Sequence, residues 1–143
     1  MRELPRQLSV EELAELFEGR TRFVERLAAL ENPLGRAREV AAELTDEEKK
    51  EVLDAHPAIG AKNLSARSAA EQGADEAPPE LAELNRAYEE KFGFRFVVFV
   101  NRRPKSELVP IIRARLERTR VEELTTALDE LVAIAQDRWR QRS

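Results

Sequence analysis

Three places in this 143-residue chain combine side chains able to handle protons or anions. The single histidine, His56, is followed by Pro57-Ala58-Ile59-Gly60. Proline pushes its predecessor out of the helical region, so the imidazole is presented by a stiff turn at a helix end rather than along a helix face. With an ordinary pKa near neutrality, such a group can both take and return a proton. The second place is the stretch SARSAAEQ from Ser65 to Gln72. On a helix, Ser68, Glu71 and Gln72 stand at i, i+3 and i+4, which puts a hydroxyl, a carboxylate and an amide on one face. That short helix lies between two loops, a natural rim for a pocket. The third place is Arg138, within Asp137-Arg138-Trp139-Arg140 near the end of the chain. Such an arginine either complements a helix C-terminus or turns inward, where its forked donors bind a carboxylate or a planar urea-like group. Each feature also has a plainer reading: an incidental histidine, a solvated helix face, a solubilising arginine. Spacing alone favours the plainer reading at the histidine and at the serine face, and does not choose at Arg138.

Composition narrows the chemistry. There is no cysteine and only one histidine, which removes disulfide frameworks, thiolate nucleophiles, thiolate zinc sites and histidine-rich metal cages. The chain carries 28 acidic and 24 basic residues for a net charge of −4, which argues against a phosphate backbone as partner. Arg102-Arg103 and the tail Arg138-Trp139-Arg140-Gln141-Arg142 are too short to reverse that. No apolar run approaches the roughly 20 residues that span a bilayer, and no nucleotide-binding, zinc-protease or hydrolase-elbow motif occurs. The start Met1-Arg2-Glu3 lacks the pattern of a signal peptide and the end Gln141-Arg142-Ser143 is not a peroxisomal address. The expectation is a soluble, cytoplasmic protein without membrane or nucleic-acid partners.

The elements that must position these residues read as helix after helix. Ser9-Val10-Glu11-Glu12, Thr45-Asp46-Glu47-Glu48 and Thr119-Arg120-Val121-Glu122 are capping boxes, each heading an apolar stripe. Gly19 is expected to end the first helix. Thr21 opens a second with Phe23, Val24, Leu27 and Leu30, stopped by Asn32-Pro33, and a short third carries Val40 and Leu44. The helix from Thr45 must end near His56 because of Pro57. Residues 57–64 read as a loop, 66–72 as a short helix and 73–79 as a further loop. Leu81, Leu84, Tyr88 and Phe92 give a longer helix ending at Gly93. Residues 94–100 (FRFVVFV) look like a strand but have no partner run, so an extended buried connector is expected instead of a sheet. A helix with Pro110 early in it and a long last helix through Leu124, Leu128, Leu131, Ala135 and Trp139 complete the chain. The predicted fold is all-α: one domain over residues 1–143, about seven to eight helices, and the connector 94–100.

In order along the chain stand His56-Pro57-Ala58-Ile59-Gly60, then Ser68-Ala69-Ala70-Glu71-Gln72, then Leu84-Asn85, Tyr88 and Phe92-Gly93-Phe94-Arg95-Phe96-Val97. This ordered set resembles the 2-oxo-4-hydroxy-4-carboxy-5-ureidoimidazoline (OHCU) decarboxylase family of urate breakdown, over about residues 5–140. Ile134-Ala135-Gln136-Asp137-Arg138 is similar to the end of that family's last helix. The resemblance implies an all-α decarboxylase without cofactor or metal, a homodimer, forming (S)-allantoin and carbon dioxide. It implies His56 as catalytic acid/base and Glu71 as its carboxylate partner. It further implies Arg138 as the cation that anchors the substrate, Ser68 and Gln72 as its hydrogen-bonding partners, and Pro57 and the Phe96–Val98 backbone as pocket lining. Departures fall at the pocket edge, at Ala58 and at Asn101-Arg102-Arg103-Pro104.

Two rival readings remain at this level. One is a non-catalytic helical interaction module, which would show an exposed apolar groove. The other is an enzyme of the same scaffold acting on another small ureide.

Overall fold

The computed structural model describes residues 3–56, 78–100 and 103–141. Among these residues there are seven α-helices and one 3₁₀ turn, with no strand, so the all-α expectation holds. The helices are α1 (Val10–Leu16), α2 (Arg22–Ala28), α3 (Pro33–Glu43), α4 (Asp46–Asp54), α5 (Pro79–Phe92), α6 (Leu108–Leu116) and α7 (Arg120–Gln141). The 3₁₀ turn Lys105–Glu107 leads into α6 and places Pro110 in its first helical turn, where a missing N–H costs no bond. The expected loop 57–64, the short helix 66–72 and most of the loop 73–79 lie outside the described residues.

The capping boxes form as spelled. Ser9 Oγ accepts from the Glu12 N–H at 3.1 Å while the Glu12 carboxylate accepts from the Ser9 N–H at 3.0 Å. Thr45 with Glu48 and Thr119 with Glu122 repeat the exchange. Each box satisfies two donors that a helix start otherwise leaves orphaned.

Helix α7 organises the core. Leu124, Ala127, Leu128, Leu131, Val132 and Ala135 recur at helical spacing and are buried, and the stripe packs against α1, α3 and α4. Helix α2 packs on α1, α3 and α4, and α5 pairs with α6.

Residues 94–100 run as the expected connector, with Phe94, Phe96, Val97, Val98 and Val100 buried and no regular structure from 95 onward. Buried backbone polar groups need partners, and here side chains replace a neighbouring strand. Arg115 Nη1 donates to the Val97 carbonyl at 2.8 Å, and the Phe99 N–H donates to Glu130 at 3.3 Å. Arg103 Nε donates to the Val100 carbonyl at 2.9 Å. Arg115 is in turn held by Glu123, which is fully buried and also accepts from the Tyr88 hydroxyl at 2.6 Å and from Arg118 at 2.9 Å. Burial and the Glu123 carboxylate push the Tyr88 hydroxyl pKa up, so it remains a donor. This network fixes the connector that runs beside the α4 end.

Two helix boundaries differ from the sequence reading. Asn32-Pro33 starts α3 rather than merely stopping α2. Asn32 takes a left-handed backbone, φ 52°, which asparagine tolerates, and Pro33 occupies the first helical turn, where its fixed φ is suited. Gly19 does not itself provide the left-handed end of α1. The helix stops at Leu16, and Glu18 takes the left-handed conformation, φ 62°, with the Gly19 N–H closing onto the Ala14 carbonyl at 3.0 Å. That is the bond pattern of a glycine-terminated helix with the glycine one place late. Gly19 serves a different need, because a Cβ there would stand 3.2 Å from the Ala55 Cβ. The turn between α1 and α2 therefore lies directly against the residue before His56.

Candidate active site

Helix α4 ends at Asp54, with Ala55 as its cap and the His56 N–H bonding the Leu53 carbonyl at 3.2 Å. The stiff-turn expectation stands at its helical side; Pro57 lies outside the described residues. His56 is not at the surface. It is 5% exposed, and its Nε2 is buried without a hydrogen-bond partner among the described residues. A buried polar atom left unpaired costs free energy; Arg95 Nε is the other such atom among the described residues, and at His56 Nε2 a ligand atom can complete the bond.

The sequence reading expected an imidazole close to its ordinary pKa. The structure corrects this: the His56 pKa falls from 6.5 to about 3. Loss of solvation is the main cause, the Arg138 guanidinium adds to it, and Arg95 contributes in the same direction, while the Glu18 carboxylate opposes them. His56 is a neutral imidazole at pH 7, ready to accept a proton or a hydrogen bond.

Arg138 has turned inward. Although it sits in the last turn of α7, it is 4% exposed. Its Nη1 donates to the Leu16 carbonyl at 2.9 Å and its Nη2 lies 3.0 Å from Glu18 Oε1. The α1–α2 turn thus holds the guanidinium from its carbonyl side and its carboxylate side at once. Macrodipole service and solubility, the plainer reading of Arg138, do not account for a buried guanidinium in that pose.

Two further residues of this region were not singled out in the sequence. Glu18 carried no signal, since a glutamate beside a glycine reads as an ordinary helix end. Arg95 did carry one, a lone cation inside the apolar run FRFVVFV. Its backbone N–H donates to Asp54 Oδ1 at 3.0 Å, and its Nη1 donates to the Asp54 and His56 carbonyls. Arg95 therefore ties the exposed carbonyl end of α4 to the connector, where the helix dipole favours a cation. Phe96 and Val98 follow it and are buried at 1% and 4% exposure. Of the residues proposed from sequence, His56, Arg138, Phe96 and Val98 are described, whereas Pro57, Ser68, Glu71 and Gln72 lie outside the described residues.

The model of the family described as OHCU decarboxylase matches residues 2–140 of this chain. The chain belongs to the OHCU decarboxylase family. Curated relatives agree. A 2-oxo-4-hydroxy-4-carboxy-5-ureidoimidazoline decarboxylase of Halalkalicoccus jeotgali is 31% identical over 99 residues, covering 64% of this chain and 56% of the relative. Its counterpart in Haloferax volcanii is 31% identical over 104 residues, covering 67% of this chain and 62% of the relative. The matches thus span a little over half the length of those relatives. A crystal structure of an OHCU decarboxylase in the presence of (S)-allantoin shares the fold, with a TM-score of 0.73 at 24% identity, covering 89% of this chain and 94% of that one. Family membership and the all-α fold are therefore established, with α4, α7 and the connector as the elements that meet at His56.

Proposed function

We propose that this chain decarboxylates 2-oxo-4-hydroxy-4-carboxy-5-ureidoimidazoline to (S)-allantoin and carbon dioxide in urate breakdown. Family membership supports the reaction class, and the observation that carries the reading to this chain is the buried, neutral His56 imidazole, its Nε2 unpaired among the described residues, with Arg138 turned inward near it.

The substrate bears a carboxylate and a hydroxyl on one ring carbon, beside an amidine-like carbon. When the bond to the carboxylate breaks, carbon dioxide leaves and the electron pair moves into that neighbouring unsaturated system, so the substrate supplies its own electron sink. The ring nitrogen that receives the pair takes a proton from water, the hydroxyl proton leaves its oxygen, and one proton must reach the adjacent carbon from a single face to give the S enantiomer. A neutral imidazole can accept the hydroxyl proton through its free nitrogen, and the resulting imidazolium can return a proton. Burial favours that return, because the charged imidazole is held at high free energy here. Glu71 is assigned as the carboxylate that orients and stabilises the imidazolium, Arg138 as the cation that anchors the substrate carboxylate or a carbonyl, and Ser68 and Gln72 as readers of the ureido edge. Pro57, Phe96 and Val98 line the pocket in this reading.

The rival interaction module calls for an exposed apolar groove. Among the described residues the one large apolar side chain that is exposed is Val121, which disfavours that reading. No helix of the described residues is long and apolar enough to cross a membrane. A cytoplasmic homodimer acting on a small molecule completes the proposal, and light scattering that returns the 16.3 kDa chain mass rather than twice it would remove the dimer.

The deciding experiment follows circular dichroism while this protein is added to urate freshly converted by urate oxidase and hydroxyisourate hydrolase. Spontaneous decay yields racemic allantoin and no lasting signal. Rapid growth of the S signal, lost in His56→Gln and strongly reduced in Glu71→Gln, is the expected result. A flat trace from folded wild-type protein would sink the proposal.

A further inference from the structure

Two non-glycine residues among those described have left-handed backbones, Asn32 and Glu18. Asparagine is at home there and glutamate is not. Strain of this kind persists where the surroundings hold it in place, and an observed outlier is a reason to ask what its side chain does.

At Glu18 the side chain has a definite task. The left-handed turn delivers its carboxylate to Arg138, with 3.0 Å between Oε1 and Nη2, in a pair whose side chains are 16% and 3% exposed. The preceding turn of α1 supplies the second grip, the Leu16 carbonyl on Nη1 at 2.9 Å. The next residue, Gly19, packs against Ala55 so closely that a Cβ would meet it at 3.2 Å. One four-residue segment, 16–19, therefore touches the cation near His56 and packs against the side chain of Ala55, the residue before His56. Glu18 and Arg138 also act on the imidazole with opposite sign, Arg138 disfavouring its protonated form and Glu18 favouring it.

We propose that Glu18 is a positioning residue of the active site: its carboxylate, presented by the strained turn after α1, holds the Arg138 guanidinium in the pose that His56 and the substrate carboxylate require. The inference rests on the decarboxylase reading for its kinetic consequence, though not for its physical one. A guanidinium on a long flexible arm loses much of its directional value when its plane is not fixed, and here the Glu18 carboxylate on Nη2 and the Leu16 carbonyl on Nη1 help to fix it. Without Glu18 the Arg138 charge beside His56 is also less compensated.

The test uses two variants of the full chain. Glu18→Gln keeps the shape of the side chain and removes its charge. Glu18→Gly removes the carboxylate and the backbone strain together. Because His56 is the only histidine, ¹⁵N labelling of histidine reports its ring nitrogens without overlap. Both variants are expected to remain folded, to displace the His56 ring resonances, and to lower kcat/KM for the ureidoimidazoline at least tenfold, with more of the loss in KM than in kcat. Ring resonances at their wild-type positions in folded Glu18→Gln and Glu18→Gly overturn the proposal, and so does wild-type KM in an active preparation. If the wild type itself proves inactive, the decarboxylase reading falls, and the ring resonances still decide whether Glu18 governs the surroundings of His56.

Discussion

Burial of a neutral histidine makes an acid-sensitive fold, and the size of the effect follows from the structure. In the unfolded chain the His56 imidazole titrates near 6.5, whereas in the folded protein it does so near 3. As the pH falls below 6.5 the unfolded state takes up a proton that the folded state refuses. Stability is therefore full above 6.5 and declines as pH falls toward 3, at about 1.36 kcal/mol per pH unit. Between pH 7 and pH 5 about 1.5 units lie inside that window, so this one group removes about 2 kcal/mol. For a domain of this length that corresponds to roughly 4–8 °C in Tm. Other carboxylates titrate over the same range, so the contribution is isolated by comparison with His56→Gln, which is nearly as large and does not titrate. Urea unfolding of both proteins at pH 7, 6 and 5 gives two stability curves, and the wild-type curve should fall more steeply by about 2 kcal/mol in total. Any constant offset from the substitution itself cancels in the slopes. Parallel curves would mean that the imidazole ionises as freely in the folded protein as in the unfolded chain, and the buried, neutral His56 would be refuted.

Three other outcomes follow from the same structure. The free enzyme's kcat/KM is expected to be flat between pH 6 and 8, because His56 is already neutral throughout; a limb centred near 6.5 in a stopped-flow pH series would contradict that. Glu123→Gln leaves the buried Arg115 without its counterion and should cost about 3–5 kcal/mol in urea unfolding, whereas a loss below about 1 kcal/mol would show that the Tyr88–Glu123–Arg115 network does not hold the connector. Gly93→Ala, at φ 81° with nothing within 4 Å of the added Cβ, should cost about 1–2 kcal/mol from backbone conformation alone, and an unchanged melting temperature would mean the cap after α5 is not left-handed.

Local rules suffice for most of what the sequence determined. Ser9, Thr45 and Thr119 with their glutamates three residues on mark helix starts, because the hydrogen bonds that cap a helix lie within one turn of chain. The proline at position 57 predicts an end to α4 near His56, and Gly93 ends α5, for reasons confined to one or two residues. The apolar stripe of α7 and the lack of a second β-like run were enough to predict an all-α bundle with a buried connector at 94–100. His56 stood out because it is the only histidine and precedes a proline. What tertiary structure alone decided is charge and direction. No spacing rule links Glu18 to Arg138 across 120 residues of chain, and only the packing of α1 against α7 brings them to 3.0 Å. Arg138 could have served solvent equally well by sequence. Likewise the sequence suggested an imidazole of ordinary pKa, since nothing in the order of residues tells how much water a side chain keeps. Burial in the folded protein removed that water, and with it the proton.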